Sequence, residues 1–157
     1  MAVTTTSGAI CLPTKMEDEV TKFGISRKVA DFTGPITISM NSCGAAQCYV
    51  AAIFFMAQST GIQMTPYQMG MAILLSCLMC LGTISVPGGS VIVYTFLATS
   101  LGLPLESIAV LIGIDWFAGM FRTLMNVDID VMIGLLVASK LGELDRDVYD
   151  EKKTVTY

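Results

Sequence analysis

From Phe32 to Leu105 the chain runs 74 positions without an Asp, Glu, Lys or Arg. A soluble fold of 157 residues cannot enclose so long an apolar block and still clothe it with charge, so the stretch calls for lipid or protein on every side. The pattern in and around it divides the chain into pieces. Residues 1–13 are Thr-rich, with Thr4-Thr5-Thr6-Ser7-Gly8 where a membrane helix would carry Leu or Val. Residues 14–34 hold Lys15, Glu17, Asp18, Glu19, Lys22, Arg27, Lys28 and Asp31, and read as an amphipathic connector lying at a membrane surface. Residues 35–62 are long enough, at about 1.5 Å per residue, to cross a hydrocarbon core of about 30 Å. Their first half is interrupted by Ser39-Met40-Asn41-Ser42-Cys43-Gly44.

Residues 69–103 are broken in the middle by Val86-Pro87-Gly88-Gly89-Ser90. Proline removes a backbone donor and the paired glycines weaken a helix, and each arm of about 16 residues is too short to cross a bilayer. The expected form is a re-entrant hairpin that enters and leaves by the same side. Residues 107–141 are long enough to span, and 142–157 form a polar, solvated tail. Lys15, Lys22, Arg27 and Lys28 precede the first span, and Lys140, Arg146, Lys152 and Lys153 follow the second, while the loops at 63–68 and 102–106 carry no Lys or Arg. The positive-inside rule therefore places both basic ends, the C-terminus included, in the cytoplasm, and two spans with a hairpin between them satisfy it.

The last span carries the strongest chemical signal. At 100° per residue, Gly119, Arg122, Asn126 and Asp130 all fall within roughly 60° of Asp115, with Thr123 at the border and Asp128 on the opposite face. A guanidinium and two carboxylates at membrane depth cost about 3 kcal/mol each, and helices carry them toward partners or a wet cavity. The stripe is expected to face a binding site; an Asp115–Arg122 bridge that merely joins helices is the plainer reading.

Composition narrows the classes. Hydrophobic residues make up 54% of the chain and charged ones 14%, and much of the net charge of −4 comes from the tail. No basic domain or aromatic-plus-Arg strip points to nucleic acid. Cys11, Cys43, Cys48, Cys77 and Cys80 are scattered, and with no histidine the usual zinc sets lack half their ligands; Cys77-Leu-Met-Cys80 lies in an apolar run and reads as packing. No nucleophile-and-base pair suggests an enzyme, and no cofactor is implied. Met1 is followed by small polar residues with no secretory leader pattern, so insertion is expected from the internal segments.

These motifs together resemble the C-terminal part of the glutamate transporter family, the dicarboxylate/amino acid:cation symporters, over about 140 residues. Leu12-Pro13, Gly24-Ile25-Ser26, Pro35 and Thr37 resemble the return arm of the family's first hairpin and the start of its seventh span. Gly82-Thr83 and Val86-Pro87-Gly88-Gly89 resemble the tip of its second hairpin. Gly113-Ile114-Asp115, Met120, Arg122-Thr123, Asn126-Val127 and Asp130 resemble its eighth span. The implied fold is an all-α membrane protein: two transmembrane helices with a re-entrant helical hairpin between them and part of another hairpin at the N-terminus.

The resemblance implies that Arg122 pairs with a substrate carboxylate, with Thr123, Gly119, Ser7, Gly8, Val86, Pro87, Gly88 and Gly89 around the rest of the solute. It implies sodium near Thr37, Ser39, Asn41, Asn126 and Asp130, and a second sodium between residues 82–85 and the backbone of 37–39. Two departures bear on this. Asn41-Ser42-Cys43-Gly44-Ala45 stands where the family has Asn-Met-Asp-Gly-Thr, which removes a sodium-binding carboxylate and implies fewer sodium ions, or a proton in place of one. Gly119 stands where amino acid transporters carry the acid that receives the substrate's amino group.

The implied function is the substrate- and cation-binding part of a sodium- or proton-coupled symporter for dicarboxylates or acidic amino acids, in the plasma (inner) membrane. The family's first six spans have no counterpart here, so a scaffold chain or a homo-oligomer, a trimer by the family's pattern, is the expected partner, besides lipid and a small anionic solute. A truncated membrane interaction protein without transport, or half of a split transporter inactive without its scaffold, is the alternative.

Overall fold

A computed structural model describes residues 1–82 and 89–157. Their order is α1 (Ala2–Thr5), α2 (Gly8–Thr21), α3 (Arg27–Met40), α4 (Cys43–Ser59), α5 (Pro66–Gly82), α6 (Gly89–Leu101), a 3₁₀ turn (Leu105–Ser107), α7 (Ile108–Leu141) and α8 (Arg146–Tyr149). Among the described residues the fold is all-helical apart from one isolated antiparallel bridge between Ile25 and Leu144. Arg27–Ser59 and Leu105–Leu141 are long and apolar enough to cross a membrane, whereas α5 and α6 are apolar but short. Residues 83–88, which include Thr83, Ser85, Val86, Pro87 and Gly88, lie outside the described residues.

Three stretches differ from their sequence-based reading, the C-terminal tail being the last of them. Helix α2 runs through Pro13 to Thr21 instead of giving way to a surface connector at residue 14, and Lys15 and Glu19 are only 4% and 0% exposed. A single proline costs one hydrogen bond and some strain, which the packing of α2 against α3 and α7 offsets. The first candidate span also starts earlier, at Arg27, where Ser26 caps α3 by accepting from the Val29 amide. Its interruption is narrow. Asn41 and Ser42 leave helical geometry at φ −90° and −139°, and α4 resumes at Cys43.

Among the described residues the apolar side chains form two cores. One joins α4, α5, α6 and the start of α7 through Tyr49, Ile53, Met56, Val93, Leu97 and Leu111. The other joins α2, α3 and the end of α7 through Val20, Ile25, Val29, Ala30 and Ala138. Between them, the middle of α7 carries its polar stripe. Facing outward are Phe32, Met40, Leu81, Ile92, Trp116, Phe117, Phe121, Met132 and Leu136, all exposed, as suits helices solvated by lipid.

The tail is docked, not free. The Ser26 amide donates to the Glu143 carbonyl at 3.0 Å and the Asp145 amide to the Gly24 carbonyl at 2.8 Å, while Val148 is buried. Gly24 sits at φ 68°, and a Cβ there would collide with the Asp145 carbonyl, so only glycine lets the two corners meet. This contact sets Lys22, Arg27 and Lys28 beside Lys140, Arg146 and Lys153, so the two basic regions lie at one end of the molecule.

Candidate functional site

Helix α7 places Asp115, Gly119, Arg122, Thr123, Asn126 and Asp130 toward the other helices, with Thr123 and Asp130 buried and Asp128 exposed on the far side. Two interrupted helices meet this stripe. Thr6, in the left-handed region at φ 48°, separates α1 from α2 and carries its methyl to about 4.0 Å from where a Cβ on Gly119 would sit. The break at Asn41–Ser42 brings the start of α4 onto Arg122 and Asn126. Gly44 makes that approach possible, since a Cβ there would stand 2.5 Å from the Arg122 carbonyl and 3.0 Å from Asn126 Oδ1.

The upper part of the stripe centres on the Arg122 guanidinium. Arg122 Nη1 lies 3.8 Å from Asp115 Oδ1, too far for a hydrogen bond, and is buried with no hydrogen-bond partner among the described residues. Asp115 is already engaged by α6: Ser90 Oγ donates to Oδ2 at 2.5 Å and Tyr94 Oη to Oδ1 at 3.1 Å. The ion pair of the plainer reading exists, but it leaves Arg122 Nη1 without a hydrogen bond among the described residues, and a buried unsatisfied donor is costly unless something else takes it. A Cβ on Gly119 would lie 3.4 Å from Arg122 Nη2.

The lower part gathers oxygens. Asn41 Nδ2 donates to Asp130 Oδ1 at 2.8 Å and to the Asn126 carbonyl at 3.1 Å, and the Gly44 amide donates to Asn126 Oδ1 at 2.8 Å. A cavity of about 20 Å³, enough for one water-sized guest, is lined by Gly8, Ile38, Asn41, Thr123, Asn126, Val127 and Asp130. Thr37 is buried beside Asp130, but the partner it shares with Asp130 is Lys15, whose Nζ donates to Thr37 Oγ1 at 3.0 Å and to Asp130 Oδ2 at 3.3 Å. Ser39 lies outside the cluster, exposed, its hydroxyl donating to the Pro35 carbonyl at 2.9 Å. Gly89 begins α6, one residue before Ser90.

Lys15 was not legible as part of this cluster because its hydrogen-bond partners are 19 to 115 positions away. One signal was present: Cys11, Lys15 and Glu19 repeat every four residues, a single helical face, and all three are buried. Among the described residues no cluster of three or more His, Cys, Asp or Glu side chains could hold a metal ion, and all five cysteines are free.

The profile of the sodium:dicarboxylate symporter family matches residues 1–140, and the chain belongs to that family. It is similar to an L-cystine uptake protein of Bacillus anthracis, 29% identical over 99% of this chain and 34% of the relative. It is also similar to an excitatory amino acid transporter of Caenorhabditis elegans, 27% identical over 99% of this chain and 31% of the relative. A proton/glutamate-aspartate symporter of Bacillus subtilis is 33% identical over 81% of this chain and 30% of the relative. The chain thus spans about a third of the length of these relatives, which are transporters and not enzymes.

Proposed function

We propose that this chain is the part of a cation-coupled symporter that binds a small acidic solute, with Arg122 taking one carboxylate of that solute. The observation that carries the reading is the buried Arg122 Nη1, unpartnered among the described residues, beside an Asp115 whose oxygens α6 already holds. A planar guanidinium in this setting suits a carboxylate in bidentate geometry. Thr123 and Gly8, the latter at the positive end of α2, line the small cavity one turn along α7 from it and are proposed to hold the rest of the solute, with residues 86–89 proposed to take the second carboxylate. A cation completes the balance among Thr37, Asn41, Asn126 and Asp130.

Helices α5 and α6 are proposed to form a re-entrant hairpin. Leu103 packs with Ile108 in the core at one end of α7, while Ser90 and Tyr94 reach Asp115 further along it, so the short helices approach the stripe from that end. The opposite end, with both basic regions, is proposed to face the cytoplasm. A companion chain or a further copy is proposed to supply the scaffold that the longer relatives carry.

Gly119 decides the substrate class. It supplies no acceptor for an α-amino group, and Asp115 is tied to α6, so an ammonium in the site would lack a counter-ion. The site is therefore proposed to prefer a dicarboxylate such as succinate, fumarate or malate over aspartate or glutamate. In a competition assay with labelled succinate, fumarate and malate should displace the label and aspartate should do so less well. Displacement by aspartate at least as good as by succinate contradicts the assignment. Gly119→Asp should move the preference toward the amino acid.

A further inference from the structure

Sodium, the cation in the family's name, is a hard ion that needs several oxygen donors and no other cation among them. The region around Asp130 offers the right kind of oxygen. It also holds a cation of its own. Lys15 Nζ stands 3.3 Å from Asp130 Oδ2, 3.0 Å from Thr37 Oγ1, 3.4 Å from the Gly34 carbonyl and 3.9 Å from Glu19 Oε1. These four oxygens come from a carboxylate, a hydroxyl, a carbonyl and a second carboxylate, contributed by α7, α3 and α2. Lys15 is 4% exposed, Glu19 0% and Asp130 2%, so the ammonium is enclosed, hydrogen-bonded to the first three oxygens, with Glu19 a buried ion-pair neighbour that makes no hydrogen bond among the described residues.

The rest of the expected sodium set is engaged as well. Asp130 Oδ1 accepts from Asn41 Nδ2, and Asn126 Oδ1 accepts from the Gly44 amide. A sodium ion on Asp130 and Thr37 would stand a few ångströms from the ammonium in a dry interior, where like charges repel strongly and screening is weak. As arranged, these residues do not fit a sodium ion.

We infer that Lys15 is a tethered cation: its ammonium takes the place of a sodium ion at Asp130, and acidic-solute binding at Arg122 does not require sodium. This rests on the reading of the α7 stripe as a solute and cation site, and assigns that site's cation. A fixed ammonium fills the cluster at every sodium concentration, so the charge that a sodium-dependent site must recruit from solution is already present. Lys15 lies on the arm of α2 that follows the Ser7-Gly8 corner, so occupancy of the cation cluster is built into the same helix whose start flanks the solute.

The test is the thermal stability of the full chain in detergent, in sodium chloride against N-methyl-D-glucamine chloride at equal ionic strength. The wild type should melt at the same temperature in both. Lys15→Met should gain a saturable, sodium-specific rise of at least about 3 °C, and Lys15→Met combined with Asp130→Asn should lose it. A sodium-specific rise in the wild type that Asp130→Asn removes, or no rise in a folded Lys15→Met chain, would overturn the inference. Should Lys15→Met not fold, the Lys15 ammonium resonance of the wild type carries the test: high sodium leaves it unmoved under the inference and shifts it if sodium enters. No solute is present in these assays, so they stand apart from the solute reading. Failure to bind labelled succinate would sink that reading alone, and succinate binding that needs both Arg122 and sodium would sink only the role of Lys15.

Discussion

At the scale of single residues, the site depends as much on what is missing from a position as on what is present. Gly44 lets the backbone of α4 touch α7 at the Arg122 carbonyl and lets its own amide reach Asn126 Oδ1 at 2.8 Å. Gly44→Ala should push α4 off α7 and cost about 1–3 kcal/mol, as overpacking in a close contact does. A lower melting temperature with weakened succinate binding is the expected result; an unchanged protein would show that the two helices can slide apart freely. That Arg122, Asn126 and Asp130 share one inward face was readable in the sequence because all lie on one helix, where a period of 3.6 residues fixes which side chains share a face. Lys15 was not, because a connector and a helix carry the same charges and only the packing of α2 under α3 and α7 shows which one it is.

At the scale of elements, the breaks position the chemistry. The turn at Thr6-Ser7 and the break at Asn41-Ser42 both face the middle of α7, where the start of α4 donates backbone amides to side-chain oxygens. The interruption of the first span was legible from Asn41-Ser42, small polar residues inside an apolar run, whereas its start at Arg27 was hidden by the charges of the first turn. The tail was the other misreading: its anchor is backbone pairing at residues 24–26 and 143–145, which composition does not report. That anchor has a pH dependence. The Lys153 ammonium, donating to Asp145 Oδ2 at 2.9 Å, holds the Asp145 carboxyl below the usual carboxylate range, and the Asp147 amide adds to this. A depressed carboxylate contributes its stabilisation above its unfolded pKa and loses it as pH falls through the lower folded value. Amide shifts of Ile25 and Leu144, followed from neutral to strongly acid solution, should move as the tail loosens at the acid end. Asp145→Asn should flatten that response, and a wild-type anchor unchanged by acid would contradict the account.

At the scale of the whole molecule, a polar stripe is held between two apolar cores inside a belt of exposed Phe, Trp, Leu, Ile and Met. That layering is what a membrane protein needs if charge is to sit at depth: lipid outside, packed helices above and below, and charges facing one another or a guest. On the proposed reading the stripe separates into an anion half at Arg122 and a cation half at Asp130, about two helical turns apart along α7. The central claim is that Arg122 holds the solute while the opposite face of the same helix does not. Equilibrium binding of labelled succinate to the full chain in lipid nanodiscs tests it directly, with wild type, Arg122→Ala and Asp128→Asn compared. Removing one partner of a desolvated charge pair costs about 2–5 kcal/mol, so Arg122→Ala should weaken binding by about thirtyfold or more while Asp128→Asn leaves it within about twofold. Equal losses from the two variants, or wild-type affinity in Arg122→Ala, would contradict the account.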